Sequence, residues 1–239
     1  MTKLILSNEI ETQISEIFAP LKNPEKWMSL GLSFAPSPYA VVRLEGLPGV
    51  GKTALANHMA RKLRTAPLHI DFSSVASSTY GETEGKILSI FKQAEETEVN
   101  TIIMEECDSL LWSRDKVTED TMYVLGIVNT LLIQLDRFCA RKIPSLVILT
   151  SNYPQLLDAA LTRRITDVIQ LSAPTGKWAE RMWWDKLPTV IKLSLLDREM
   201  EKLVSLQATP DQMEKAILKI CRKAILEQRE PCFADFQLT

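Results

Sequence analysis

The sequence predicts an α/β protein: a three-layer α/β/α arrangement around a parallel five-stranded sheet, followed by a small all-α lid domain. Three observations carry this expectation. Short β-rich apolar segments alternate with helical patterns up to residue 171, the signature of parallel strands covered on both faces. The first of these segments runs directly into a glycine-rich turn and then a helix. After Ala173-Pro174 no further β-rich run occurs, and helical periodicity fills the remainder. The expected domains are therefore residues 1–173, a lead-in plus a large α/β domain, and residues 174–239, the lid.

In order, residues 5–18 place Ile10, Ile14, Ile17 and Phe18 on one face of a short amphipathic helix. A proline-punctuated lead-in follows (Pro20, Pro24, Pro36, Pro38). Strands are expected at residues 39–45, 68–72, 101–104, 146–150 and 167–171, all short, with apolar and β-branched or aromatic residues prominent. Between them lie helical faces: Leu55, Ala56, Met59, Ala60 and Leu63; Ile87, Leu88, Phe91 and Ala94; Leu125, Val128, Leu132 and Leu135. In the lid, Met213, Ala216, Ile217, Ile220, Ala224 and Ile225 mark the clearest helix. At least one of Trp183 and Trp184 is expected in the lid core, since aromatic residues on a helix are usually buried, with a docking patch as the other reading.

The turn after the first strand is Gly46-Leu47-Pro48-Gly49-Val50-Gly51-Lys52-Thr53, followed by Ala54. It fits G-x-x-x-x-G-K-[ST] in its required setting, strand before and helix after, so the fold class is that of a P-loop nucleoside triphosphatase. Glycines let the backbone curl around an anion, and successive N–H groups with the positive helix end point at phosphates. Backbone and side chains of Gly46, Pro48, Gly49, Val50, Gly51, Lys52, Thr53 and Ala54 are thus the expected nucleotide site, which the resemblance given below implies is an ATP site. Lys52 would reach the β/γ oxygens, and the Thr53 hydroxyl would ligate Mg²⁺.

Glu105 and Glu106 close the strand at 101–104, and the carboxyl ends of parallel strands face the crevice where ligands bind. One carboxylate there can support Mg²⁺ through water, and the next can deprotonate an attacking water. Asn152, just past the strand at 146–150, can hydrogen-bond the γ-phosphate or that water, although Ser151-Asn152-Tyr153-Pro154 alone also reads as a turn. Arg163-Arg164, taken alone, also reads as a solvated helix end.

Together these motifs resemble the AAA branch of the AAA+ ATPases, the group containing katanin, the proteasomal ATPases and FtsH. The resemblance spans about residues 18–226. Pro20-Leu21, Pro24-Glu25 and Gly31-Leu32 are similar to its lead-in, and Ile102 to Asp108 to its Walker B strand. Asn129-Thr130-Leu131-Leu132-Ile133-Gln134-Leu135-Asp136 is similar to its N-x-L-L-x-x-h-D helix, and Thr150-Ser151-Asn152 to sensor 1. Leu157 to Arg164 is similar to its arginine-finger segment, and Thr79-Tyr80-Gly81-Glu82 to its first pore loop. The resemblance implies that Glu106 is the catalytic glutamate, that Glu105 supports Mg²⁺ through bound water, and that Asn152 is sensor 1. It also implies that Arg163 and Arg164 reach a neighbour's γ-phosphate in a homo-oligomeric ring, usually of six.

Three departures stand out. Glu105 replaces the family's usual Asp, adding one methylene; the pore-loop aromatic, Tyr80, sits one position late, with Thr79 in its place; and the lid helix start at Thr209 lacks the family's Gly and any arginine for sensor 2. The implied function is an ATP-hydrolysing motor that remodels, unfolds or disassembles a protein partner. A nucleic-acid loader of the helicase or clamp-loader type is the alternative, and the net charge of −2 and the Tyr80-Gly81-Glu82 loop count against it. A nucleotide-controlled assembly switch is a third. As it stands the sequence resembles a bare motor, so substrate choice would fall to the ring surface, to the polar loops at 77–81 and 113–121, or to another chain. Cys107, Cys139, Cys221 and Cys232 are scattered, with only His58 and His69 to help, so neither a zinc site nor a disulfide framework is expected. With no signal-peptide pattern and no long apolar run, a cytoplasmic protein without a membrane partner is expected.

Overall fold

The computed structural model describes residues 4–35, 37–63, 66–75, 81–109, 111 and 122–236. Contacts divide them into two units. One comprises the described residues of 8–46 and 52–170; the other comprises residues 4–7, 47–51 and 171–236.

The first unit holds β1 (Tyr39–Glu45), β2 (Leu68–Asp71), β3 (Thr101–Glu105), β4 (Ser145–Ser151) and β5 (Asp167–Gln170) in one sheet, ordered β2-β3-β4-β1-β5. Every pairing is parallel, so the expected sheet is present. β1 lies beside β4, Glu45 opposite Ser151, although more than a hundred residues of chain intervene. The helices are α1 (Asn8–Lys22), α2 (Pro24–Met28), α3 (Lys52–Lys62), α4 (Phe72–Val75), α5 (Glu82–Glu96), α6 (Tyr123–Cys139) and α7 (Ala159–Thr162).

α5 and α6 cover one face of the sheet. Ile87, Phe91 and Ala94 meet Val124, Val128, Leu131 and Phe138 over Val41, Ile102, Met104, Val147 and Leu149. Burial of this kind stabilises by about 25 cal/mol per Å² of apolar surface removed from water. α1 and α3 pack on the sheet with buried Ile14, Phe18, Leu55 and Met59. Arg141 closes the far ends of α5 and α6: its guanidinium donates to the Phe138, Ala94 and Val99 carbonyls and lies 3.7 Å from the Phe138 ring centroid. It thereby serves two carbonyls, of Ala94 and Phe138, in the last turns of α5 and α6, where helix ends lack intrahelical partners, and a third, of Val99, beyond α5.

Two expected faces are rotated. In α5 the buried set is Thr83, Ile87, Phe91 and Ala94, and Leu88 is 45% exposed. In α6 the stripe runs through Val124, Ile127, Val128, Leu131 and Leu135, with Leu125 only partly covered.

The second unit contains α8 (Gly176–Lys186), α9 (Thr189–Ser194), α10 (Asp197–Ser205) and α11 (Pro210–Leu226). α11 starts cleanly because Thr209 and Gln212 exchange side-chain-to-backbone bonds as a capping box with Pro210 at the first turn. Trp183 is the centre of this core, 1% exposed, with its indole N–H donating to the Leu203 carbonyl and its ring edge-on to Phe236. Trp184, 51% exposed, faces out. Ile225, expected on the buried face of α11, is also outside. Ile5 is not part of α1, which begins only at Asn8; it packs in this helical core, and the Trp178 indole donates to its carbonyl.

A turn at 229–235 closes the unit. Arg229 forks onto Asp235, which also accepts the Cys232 N–H at 3.0 Å. The Arg229 bonds first, and the Cys232 N–H second, hold the Asp235 carboxyl well below the ordinary carboxylate range. A carboxyl lowered on folding contributes stability above its unfolded pKa and loses it as pH falls toward the folded one. Acid titration should therefore loosen this turn progressively below about pH 4, and Asp235→Asn should remove that acid dependence while lowering stability at neutral pH. Trp183→Ala should cost about 3–5 kcal/mol, read by denaturant melts; a loss under about 1 kcal/mol would mean that the site collapses around the missing ring.

Candidate nucleotide site

The α/β unit places Lys52, at the first turn of α3, between two strand ends. Its Nζ donates to the Gly46 carbonyl at 2.7 Å and to Asn152 Oδ1 at 2.7 Å. The register explains the geometry: Glu45 and Ser151 are direct neighbours, so the residues after them, Gly46 and Asn152, emerge side by side. Partial burial pushes the Lys52 ammonium down from its usual pKa, and the nearby Asp108 and Glu106 carboxylates pull it back. Thr53, one residue on, is exposed at the helix start, as is Ala54.

Asn152 is fixed from behind by Asp108, whose Oδ1 accepts the Asn152 N–H at 2.9 Å. Glu106 follows the end of β3 with φ +53°, a left-handed conformation that non-glycine residues seldom adopt. Its N–H donates to Thr150 Oγ1 at 3.1 Å, and its side chain is exposed. Backbone strain of this kind clusters at functional sites and costs of order 1–3 kcal/mol. Glu105, still within β3, leans across the sheet toward β2, with Oε2 3.8 Å from His69 Nδ1. Lys52, Glu106 and Asn152 are thus brought together, with Glu105 beside them. An exposed proton acceptor, a fixed cation and a neutral hydrogen-bonding group at aligned strand ends suit a polyphosphate and a water. A magnesium ion accompanying a phosphate would find an oxygen donor in Thr53 and support through water from Glu105.

The loop residues 47–51 belong to the helical unit. Gly49 has φ +81° and Gly51 +100°. The Gly49 carbonyl accepts the Asp211 N–H at 3.3 Å, from the first turn of α11. Pro48 and Val50 complete this loop, Val50 buried and Pro48 exposed.

Arg163 and Arg164 follow α7. Arg164 is turned into its own chain, with Nε and Nη2 each 2.7 Å from the Asp136 carboxylate oxygens. Arg163 is exposed and makes no side-chain hydrogen bond or ion pair among the described residues. Of the expected pore loop, Gly81 is described, with φ +82° at the head of α5; Thr79 and Tyr80 lie outside the described residues. The polar loops at 77–80 and 113–121 lie outside them too. His69 carries no sign of a supporting role in the sequence, and Thr150 stands in the sensor 1 match without showing that it holds Glu106. Asp108 and Asp136 stand within motifs, so spacing places them without revealing their partners.

A Cβ on Gly49 would lie 2.9 Å from the Asp211 Cβ, and its φ is costly for any L side chain. Gly49→Ala should therefore destabilise the helical unit by about 1–3 kcal/mol. Binding of a fluorescent ATP analogue should fall about tenfold for each 1.4 kcal/mol carried into the site. Wild-type melting and binding would show that the loop yields to the extra methyl group.

A profile of the ATPase family associated with various cellular activities (AAA) matches residues 42–173, more than half of the chain. The chain is 32% identical over 171 residues to the cell division cycle protein 48 homolog of Archaeoglobus fulgidus, covering 71% of this chain and 22% of that protein. It is 30% identical over 172 residues to the proteasome-activating nucleotidase of Methanococcus vannielii, covering 71% of this chain and 41% of that one. The chain thus spans about a fifth to two-fifths of these relatives. Among solved structures, the FIGL-1 AAA domain in complex with ADP superposes with a TM-score of 0.76 at 21% identity, covering 97% of this chain and 80% of that one. Among the described residues no helix is long and apolar enough to cross a membrane. The profile and the relatives agree, and the chain belongs to the AAA family of ATPases.

Proposed function

We propose that this chain is an ATP-hydrolysing motor that assembles into a homo-oligomeric ring, taken as a hexamer, and remodels, unfolds or disassembles a protein partner. The observation that carries the reading is the Lys52 ammonium held between Gly46 and Asn152 at the strand ends, with the Glu106 carboxylate nearby. Family membership supports the ATP chemistry and is in keeping with an oligomeric assembly.

In this reading the loop from Gly46 to Ala54 binds the phosphates, and Lys52 exchanges one of its present acceptors for a β/γ oxygen. Thr53 would hold Mg²⁺ directly and Glu105 through water, where the ion would supply neutralisation of phosphate charge. Glu106 takes a proton from a water as that water attacks the γ-phosphorus. The bond from the γ-phosphorus to the β,γ-bridging oxygen breaks, leaving ADP and phosphate. Asn152 orients the water or the γ-phosphate. The Arg163–Arg164 segment supplies the cation that completes the site in the next copy of the chain. That contribution is worth ~10³–10⁵ in rate in the GTPase precedent. Gripping of a threaded peptide would fall to Thr79, Tyr80 and Gly81. The lean of Glu105 toward His69 favours one second reading, a slow nucleotide-controlled switch whose output is assembly.

The test is the ATPase rate per chain, followed as protein concentration rises, with Glu106→Gln as the blank. The rate should climb and saturate, and the blank should retain ATP binding while losing turnover by ~10²–10⁴-fold. A flat rate equal to the blank would remove the self-assembling motor and leave the switch. Near-normal turnover of Glu106→Gln would remove Glu106 from its role.

A further inference from the structure

The two adjacent arginines do not share an environment. Neighbouring residues on a helical turn do not face the same way, and here the divergence is complete. Arg164 presents the fork of its guanidinium to Asp136, one nitrogen to each carboxylate oxygen at 2.7 Å, and sends a third N–H to the Ala160 carbonyl at 2.9 Å. This is the bidentate geometry in which an arginine–carboxylate pair is strongest and most directional. The bonds to Asp136 also raise the Arg164 pKa. Arg163 is exposed with nothing among the described residues to hold it.

The partners differ in rigidity. Asp136 sits near the end of α6, a 17-residue helix anchored through seven buried side chains. α7 has four residues, too few to persist by itself. Buried Asp158 caps its start by accepting the Ala160 N–H at 2.8 Å, and Leu161 is fully buried beneath it. Its end, from which Arg163 projects, is tied to the rest of the unit by the Arg164–Asp136 fork.

We infer that the two arginines divide the work: Arg163 is the cation offered to a neighbouring chain's nucleotide, and Arg164 is a positioning residue that, forked onto Asp136, sets where Arg163 points. The inference rests on the ring reading above. It assigns Asp136, 28 residues away in sequence, to the same catalytic unit. Asp136 contributes direction to a cation that it does not touch.

The experiment measures kcat and KM for ATP, and the ATP-free melting temperature, of the full chain carrying Asp136→Asn, Arg164→Ala, both together, Asp136→Glu, or Arg163→Ala. Arg163→Ala should lose kcat by ~10³-fold or more, at wild-type melting temperature. Asp136→Asn and Arg164→Ala should each lose ~10–100-fold in kcat, the cost of misplacing a catalytic group by about an ångström. KM should change little, because the lost interaction acts in the transition state. The double variant should be no worse than the worse single, since the two residues act as one unit. Asp136→Glu should recover part of the loss. Wild-type kcat in Asp136→Asn, with Arg164→Ala as poor as Arg163→Ala, would make Arg164 a second finger and overturn the inference while the ring reading stands. Multiplied losses in the double variant would overturn it as well. Wild-type kcat in Arg163→Ala would instead remove the shared site itself, and the inference with it.

Discussion

An ammonium group drawn partly out of water must be met by acceptors, and in this protein the demand of Lys52 is met by two strand ends that chain order keeps far apart. The Gly46 carbonyl follows β1 and the Asn152 amide follows β4, and only the parallel register with Glu45 opposite Ser151 brings both to one nitrogen. A slip of one residue would carry Asn152 away and turn the side chains of β4 to the wrong face of the sheet. Register in turn depends on the apolar layer formed by α5 and α6, because that layer pins Val147 and Leu149 on one side. The helices far from the site are therefore what keep its cation in place.

The same alignment accounts for Glu106. With Met104 opposite Leu149, the chain leaving β3 passes the Thr150 hydroxyl, which takes the Glu106 N–H as the backbone turns into the left-handed region. A regular continuation of the strand would send the next side chain to the opposite face of the sheet. The kink instead exposes the carboxylate at the strand end.

Much of this is legible in the residues. A phosphate loop announces itself because its function is performed by backbone, and backbone needs show as glycines at fixed spacing. Glu106 and Asn152 are placed by the rule that parallel strands open at their carboxyl ends. What periodicity does not reach is rotation by a single position: Leu88 and Ile225 satisfy a helical stripe on paper and lie outside it in the fold. Nor does it reach pairings between distant residues. Asp136 and Arg164 each sit in a recognisable segment, yet nothing local says that one ends on the other. Ile5 reads as the first turn of a helix, whereas its burial is supplied by residues that come more than 170 positions later.

That placement bears on how the molecule comes into being. In a chain emerging from the ribosome, the indole that bonds the Ile5 carbonyl follows Ile5 by 173 residues. At about 5–20 residues per second this is a wait of roughly ten to thirty-five seconds. During that interval the strands of the sheet emerge one after another, β5 last, while the helical core lacks both Trp178 and Phe236. Ile5 is therefore made long before it can be sheltered, and the helical unit closes around it only once Trp178 and Phe236 have both emerged.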